Sequence, residues 1–233
     1  MIILSLETST PVASLALVEG EAILAETVLE AGPTHTRTLL PEIKNMLDRA
    51  GLAPRDLSLL TVGLGPGSFT GLRIGLAAAK GLAFAARKPL VGVSSLDALV
   101  EASPRTDLPV CPLVDARQQQ AYAALYHFEP GPGFRRSTPI QAHTASSLAI
   151  LIETETVFFG QGLAALGPDF GPGLGAKFHR GDAALDYPRA GAAARVGLRL
   201  FTAGAPSDPA RIAPLYIRPP DIRIPTPAGA ARP

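Results

Sequence analysis

Apolar positions in the first thirty residues fall into three short runs, Ile2 to Leu6, Val12 to Val18 and Ile23 to Leu29, interrupted by E-T-S-T-P and by Gly20. Runs of this length between turn residues predict three strands joined as an antiparallel meander. The spacing then changes. Leu39, Leu40, Ile43, Met46, Leu47 and Ala50 recur every three or four positions after Gly32-Pro33, and Gly51 follows, which predicts an amphipathic helix with a glycine stop. Pro41 requires that this helix either start near Thr36 to Thr38 or kink. Leu59 to Leu64 reads as a strand, Phe69 to Arg87 as a helix and Leu90 to Val93 as a strand, and Ser94 or Ser95 opens a further helix. The first hundred residues so read βββαβαβα, the ribonuclease-H-like order in which crossover helices cover a mixed sheet.

Beyond the Pro-rich stretch from Ser103 to Pro109 the pattern partly restarts. Strands are expected at Val110 to Val114, Ala121 to Phe128 and Phe134 to Ile140, a helix at Ala145 to Leu151, a strand at Val157 to Gly160, a Gly/Pro-rich loop from Gly167 to Gly175, and an Ala-rich helix from Pro188 to Ala203. The restart predicts an α/β chain of two ribonuclease-H-like, actin-like (ASKHA) subdomains with mixed sheets, related by internal duplication. Residues 1–102 form the first, completed by 205–220, and 103–204 the second. Residues 221–233, too poor in apolar side chains to order themselves, are expected to be a mobile tail.

Composition narrows the function. At 233 residues and 47% hydrophobic content the chain can fill an ordinary core, while only 18% of residues are charged, which leaves apolar surface for a partner. A net charge of +1 excludes a global basic field for holding a phosphate backbone, although seven arginines stand against two acids from Arg189 onward. The lone Cys111 excludes disulfides and cysteine metal sites within one chain. The N-terminus lacks the basic start of a secretory signal, and the apolar run Ile74 to Ala86 is too short to span a bilayer, so a cytoplasmic protein with no membrane contact is expected.

Two features could carry chemistry. Gly65-Pro66-Gly67-Ser68 ends a strand and opens a helix, where an anion can meet backbone amides, yet no Gly-Lys-Ser/Thr follows and the glycine spacing is not that of the dinucleotide fingerprint. Within that helix Gly71, Gly75, Ala78 and Ala79 make a face of small residues suited to close packing against another helix. Glu7, Thr8 and Ser9 occupy the first hairpin turn, and Asp115 with Arg117 the matching turn of the second half. In a duplicated actin-like fold these turns face each other across a cleft that could hold magnesium and a nucleotide. Four scattered histidines give no metal motif, and no nucleophile elbow is present.

The strings I-L-S-L-E-T-S-T-P-V-A-S-L-A-L, H-T-R-T-L-L-P-E-I, G-L-G-P-G-S-F-T-G-L-R-I-G-L-A-A-A-K-G-L-A and G-V-S-S-L-D-A-L, with V-D-A-R-Q-Q-Q-A-Y-A-A-L-Y and P-L-Y-I-R, resemble the TsaB (YeaZ) family over most of the chain. That resemblance implies a non-catalytic partner of TsaD in making threonylcarbamoyladenosine beside the tRNA anticodon, with the ATPase TsaE joining the pair and tRNA reached through the complex. It implies pairing through the first two helices, here with His35, Arg37, Thr38, Pro41 and Met46 on the first and Gly71, Leu72, Gly75, Ala78 and Ala79 on the second; whether the chain alone forms a homodimer through the same helices is left open by the sequence. No cofactor is firmly implied. ATP or ADP at the partner junction is the one candidate. Glu7 stands where the family usually has Asp, which weakens a kinase-like cleft; an ATP-using enzyme of the sugar-kinase type is the alternative, and a glycoprotease-like peptidase a distant third.

Overall fold

The three opening runs form the expected meander. In this computed structural model, which describes residues 1–30 and 35–218, β1 (Ile2–Glu7) pairs antiparallel with β2 (Val12–Glu19), and β2 with β3 (Ala22–Glu30). Helix α1 (His35–Arg49), β4 (Leu59–Gly63), α2 (Phe69–Ala86), β5 (Leu90–Val93) and α3 (Ser95–Ala102) follow. β4 lies parallel to β1 and β5 parallel to β4, giving the strand order β3-β2-β1-β4-β5. Alternation along β1 sends Leu4 and Leu6 to one face, where they join Leu39, Ile43, Leu76 and Ala79 of α1 and α2. Ile3, Ser5 and Glu7 go to the other. The turn at Gly32-Pro33 and the tail 221–233 lie outside the described residues, as do the side chains of His35 and Arg37.

Pro41 lies in the second turn of α1, so the helix runs through it. α2 begins at Ser68, whose Oγ accepts the Gly71 amide at 3.2 Å, and stops at Arg87 in the left-handed conformation (φ 53°). By length and composition α2 would suffice to cross a membrane, but Leu72, Gly75, Leu76, Ala79 and Ala83 are buried on the chain's own sheet. It is a core helix with an outward face.

The second half repeats the plan with β6 (Val110–Arg117), β7 (Gln120–Ala123), β8 (Tyr126–Phe128), β9 (Phe134–Arg136), β10 (Gln141–His143), α4 (Ala145–Leu151), β11 (Thr156–Phe159), α5 (Phe170–Leu174), β12 (Phe178–Arg180) and α6 (Ala190–Thr202). Its main order, β10-β7-β6-β11-β12, repeats that of the first sheet with the same strand directions. Three expectations change. The strand expected over Ala121 to Phe128 is broken at Leu125, whose amide donates to Thr138 Oγ1 (2.9 Å) and whose carbonyl accepts from Ser137 N (2.7 Å), so the loop after β9 takes the groups a ladder would use. The strand at the third position is therefore β10, while β9 closes a side hairpin with β8. The Gly/Pro segment expected as a loop contains α5, with Phe170 packed on Phe158 and Phe178.

The third change is α6, placed by sequence order with the second half. Ala190 and Ala194 instead pack on Ile3, Ala16, Val18, Leu59 and Val91, the face of the first sheet opposite α1 and α2. A Cβ at Gly197 would fall 2.3 Å from Thr61 Cγ2, so the small residues permit close approach to the sheet. The amides of Ala190 and Gly191 donate to Ser14 Oγ (3.0 Å) and Glu26 Oε1 (2.8 Å), supplying from β2 and β3 the acceptors a helix start needs. The chain then returns along the first sheet: Leu90 N donates to Ser207 O, Ile212 joins that core, and Leu215 N donates to Leu64 O. α3 bridges to the second core through Leu96, Leu99 and Val100, and its Asp97 accepts from Tyr126 Oη at 2.7 Å. Burial pushes the Asp97 carboxyl up, opposed by that tyrosine bond.

Candidate functional site

A cleft of about 600 Å³ opens where the two halves meet. Four segments wall it: Ser9 and Pro11 after β1, Pro66 to Thr70 at the start of α2, Asp115 to Gln118 at the end of β6, and Leu215 to Arg218, with Tyr122 and Gln161 beside them. The first two interlock through backbone. Ser68 N donates to Ser9 O at 2.6 Å, and a Cβ at Gly67 would lie 2.1 Å from that same oxygen, so only glycine fits. The third wall is a tight turn in which Arg117, Gln118 and Gln119 are all left-handed (φ 65°, 52° and 57°). Asp115 holds it, accepting the Arg117 amide at 2.7 Å and pairing with the Arg117 guanidinium at 3.5 Å.

The sequence-expected cleft residues divide. Ser9, Gly67, Ser68, Asp115 and Arg117 line it; Glu7, Thr8 and Gly65 do not. Glu7, 0% exposed, points behind the turn, where Oε1 accepts from Ser9 N (2.7 Å) and Oε2 from Ser95 Oγ (2.9 Å). A Cβ at Gly63 would sit 2.2 Å from Glu7 Oε2, so the glycine makes room for the buried carboxyl. Burial pushes that carboxyl above its ordinary value, and the bonds from Ser9, Ser95 and Thr8 oppose the shift. Gly65 gives its carbonyl to Ser95 N (2.8 Å), and a Cβ on it would meet Leu72 at 2.8 Å. Both residues fasten α3 to the first sheet. Neither lines the cleft.

The small-residue face of α2 is also occupied from within. Thr8 Oγ1 donates to Gly71 O at 2.8 Å, and a Cβ at Gly71 or Gly75 would fall 2.1 Å from Thr8 O or Thr8 Oγ1. What needs the space is the β1–β2 turn of the same chain, not a second helix. Leu72, Gly75, Ala79 and Met46 are buried, and Ala78 is half-buried against the first core. The outward ridge of α2 is instead Thr70, Arg73, Ala77, Gly81 and Phe84, with Phe84 85% exposed; beside it α1 exposes Thr38, Leu40 and Pro41.

Sequence reasoning missed the fourth wall of the cleft, although P-L-Y-I-R had been singled out. Tyr216 packs on Phe69 (5.4 Å between ring centres) and accepts from Arg73 Nε at 3.1 Å, while Arg73 lies 3.8 Å over the Phe69 ring. Ile217 reaches the second core and Arg218 donates to Ala116 O at 3.5 Å, so four residues strap the halves together. Of the C-terminal arginines, Arg195 and Arg199 both pair with Glu101 on α3. Among the described residues no three His, Cys, Asp or Glu side chains cluster as metal ligands.

Residues 29–130 match the family described as TsaD, tRNA N6-adenosine threonylcarbamoyltransferase. The tRNA threonylcarbamoyladenosine biosynthesis protein TsaB of Escherichia coli K12 is 30% identical over 224 residues, covering 94% of this chain and 95% of its own length. The chain belongs to the TsaB family. TsaB of Bacillus subtilis 168 is 36% identical over 131 residues, and that alignment spans 56% of this chain and 57% of the relative. YeaZ of Pseudomonas aeruginosa superposes with a TM-score of 0.78 at 25% identity, over 92% of this chain and all of that one (100%). The ethanolamine utilization protein EutJ of Carboxydothermus hydrogenoformans shares the fold, with a TM-score of 0.52 at 12% identity over 86% of this chain and 90% of its own. The actin-like architecture expected from the duplicated pattern is thus found in solved structures as well. Within this TsaB-family chain the paired turns of that architecture persist, but the acid of the first turn is withdrawn into the core.

Proposed function

We propose that this chain is a non-catalytic partner subunit that binds TsaD and supports threonylcarbamoyl transfer to the anticodon-adjacent adenosine of tRNA. The observation that carries the reading is the near full-length relationship to E. coli TsaB. The withdrawal of Glu7 agrees with it: a magnesium–nucleotide enzyme needs carboxylate oxygens open to the cleft, and this one is spent on Ser9 and Ser95. The ATP-using alternative keeps Asp115 in the cleft but loses Glu7, the other of its two motivating acids. A peptidase would need a nucleophile beside a base, and the described cleft wall holds Ser9 and Ser68 without a histidine.

Pairing uses the outward ridge of α1 and α2. Phe84, Ala77 and Gly81 offer one large apolar anchor beside two small residues, Arg73 and Thr70 supply the polar rim, and Leu40 and Pro41 extend the patch. TsaE and tRNA join through the complex, ATP or ADP sits at the junction with TsaD, and in the partner's absence two copies meet on the same ridge. The site of action is the cytoplasm, where tRNA is modified. Co-expression with the cognate TsaD followed by size-exclusion chromatography tests the reading: a stable heterodimer at micromolar concentration is expected, and separate elution refutes it.

A further inference from the structure

The edge of a sheet presents unpaired amides and carbonyls, and proteins ordinarily shorten it, cover it or guard it with proline and positive charge. The two main strand orders end at β3, β5, β10 and β12. Three of these ends are blunted. β10 and β12 are three residues each, and β5 is met by the returning chain, where Leu90 N donates to Ser207 O at 3.0 Å. β3 is nine residues long, holds no Pro, Lys or Arg, and among the described residues no strand pairs with its outer side. Its register with β2 skips Leu24, since Leu17 faces Ala25 and Val18 faces Ile23, so the run from Ala25 to Glu30 is unbroken beyond that bulge. Ile23, Leu24 and Val28 are exposed along it.

Beside this edge runs a groove of about 390 Å³ between β3 and α1, with Leu24, Ala25 and Thr27 on the strand side and Glu42, Met46 and Arg49 on the helix side. Its charge is negative on balance. Glu26 and Glu42 line it against Arg49, Glu19 and Glu21 lie exposed at the start of the strand, and no lysine or arginine occurs in the chain before Arg37. Glu26 Oε1 takes the Gly191 amide at 2.8 Å, but among the described residues no cation lies within ion-pair distance of Glu19, Glu21, Glu26 or Glu42. We infer that the outer edge of β3 is a docking site for an extended basic segment of a partner protein, which joins the first sheet as a further strand along Ala25 to Glu30. Ladder bonds supply the hold and alternation supplies the fit. Side chains on the α1 face of the added strand enter the groove beside Leu24 and Thr27, and those on the other face meet Val28 and Glu26, so the segment alternates apolar residues with Lys or Arg. A second copy is a poor occupant, because two β3 edges bring acids together with no cation on either strand to offset them. The inference does not rest on pairing with TsaD: the groove shares no residue with the ridge of Leu40, Pro41 and Phe84.

The test is fluorescence anisotropy of the full chain with three labelled synthetic peptides. The first alternates valine and arginine, the second alternates valine and glutamate, and the third is the valine–arginine peptide N-methylated at two adjacent central residues, which removes a ladder donor from each of its edges. Saturable binding of the first is expected, about tenfold or more tighter than that of the other two. Leu24→Arg and Val28→Lys, which place positive charge on the edge, should each weaken it about tenfold. Ile150→Arg, at an exposed position on α4, should leave it unchanged. Hydrogen exchange of the β3 amides should slow when the first peptide is bound. Melting curves check folding, and if Val28→Lys unfolds, Leu24→Arg, outside the β2 register, carries the test. No binding of the first peptide, equal binding of all three, or affinity that survives both edge variants overturns the inference. So does a homodimer of the chain, seen by light scattering, that Val28→Lys dissociates, since the edge then belongs to a second copy.

Discussion

Glu7 shows how far a single residue can mislead when it is read by its place in a turn. Its position between two strands suggested a ligand of a cleft, yet the alternation Ile3, Ser5, Glu7 along β1 already sends it to the face away from α2, and this was the available signal. Because burial raises its carboxyl above the ordinary 4.5, the folded chain holds that proton more tightly than the unfolded one, and stability attributable to Glu7 falls as pH rises above that value. Glu7→Gln removes the ionisation while keeping an oxygen for the Ser9 amide. The melting temperature of Glu7→Gln minus that of the parent should therefore grow between pH 5 and pH 8; a difference constant with pH would mean that the carboxyl is not perturbed. Gly75 makes a second residue-scale case. Its glycine looked like room for a partner helix, but the space belongs to Thr8, so Gly75→Leu should cost about 1–3 kcal/mol in urea unfolding of the isolated chain. Loss of pairing with unchanged stability would return the glycine to the interface.

Elements with strong periodicity were legible from sequence and elements fixed by long-range hydrogen bonds were not. The meander, α1, α2 and the β4–β5 pair all follow from runs and spacing that a local window contains. β8, β9 and β10 do not, because the break at Leu125 is set by Ser137 and Thr138, more than ten residues away. α6 was legible as a helix, but its Ala-rich face fits either sheet by size, and what assigns it to the first is a pair of acceptors on β2 and β3. Ser14→Ala removes one of them from a fully buried position, leaving the Ala190 amide unpaired, and should lower unfolding free energy by about 1–2 kcal/mol while leaving the second half's packing intact. A neutral result in chemical denaturation would show that α6 is held by packing alone.

At the scale of the molecule, duplication was readable because the same order of runs restarts after Pro109, whereas the cleft's fourth wall was not, since Leu215 to Arg218 lie a hundred residues from the turn they meet. The strap, the buried acid and the paired turns together describe an actin-like chain whose first half packs its β1–β2 turn and the strap against α2 and whose outward ridge is free of its own sheet. Low charge and an exposed Phe84 give that ridge the character of an interface core. The most direct test of the central claim is light scattering coupled to size-exclusion of this chain with its cognate TsaD, comparing the parent with Phe84→Asp. A 1:1 heterodimer for the parent, and its loss for Phe84→Asp at an unchanged melting temperature, is the predicted result. A heterodimer equally stable with Phe84→Asp, or none with the parent, would contradict the account.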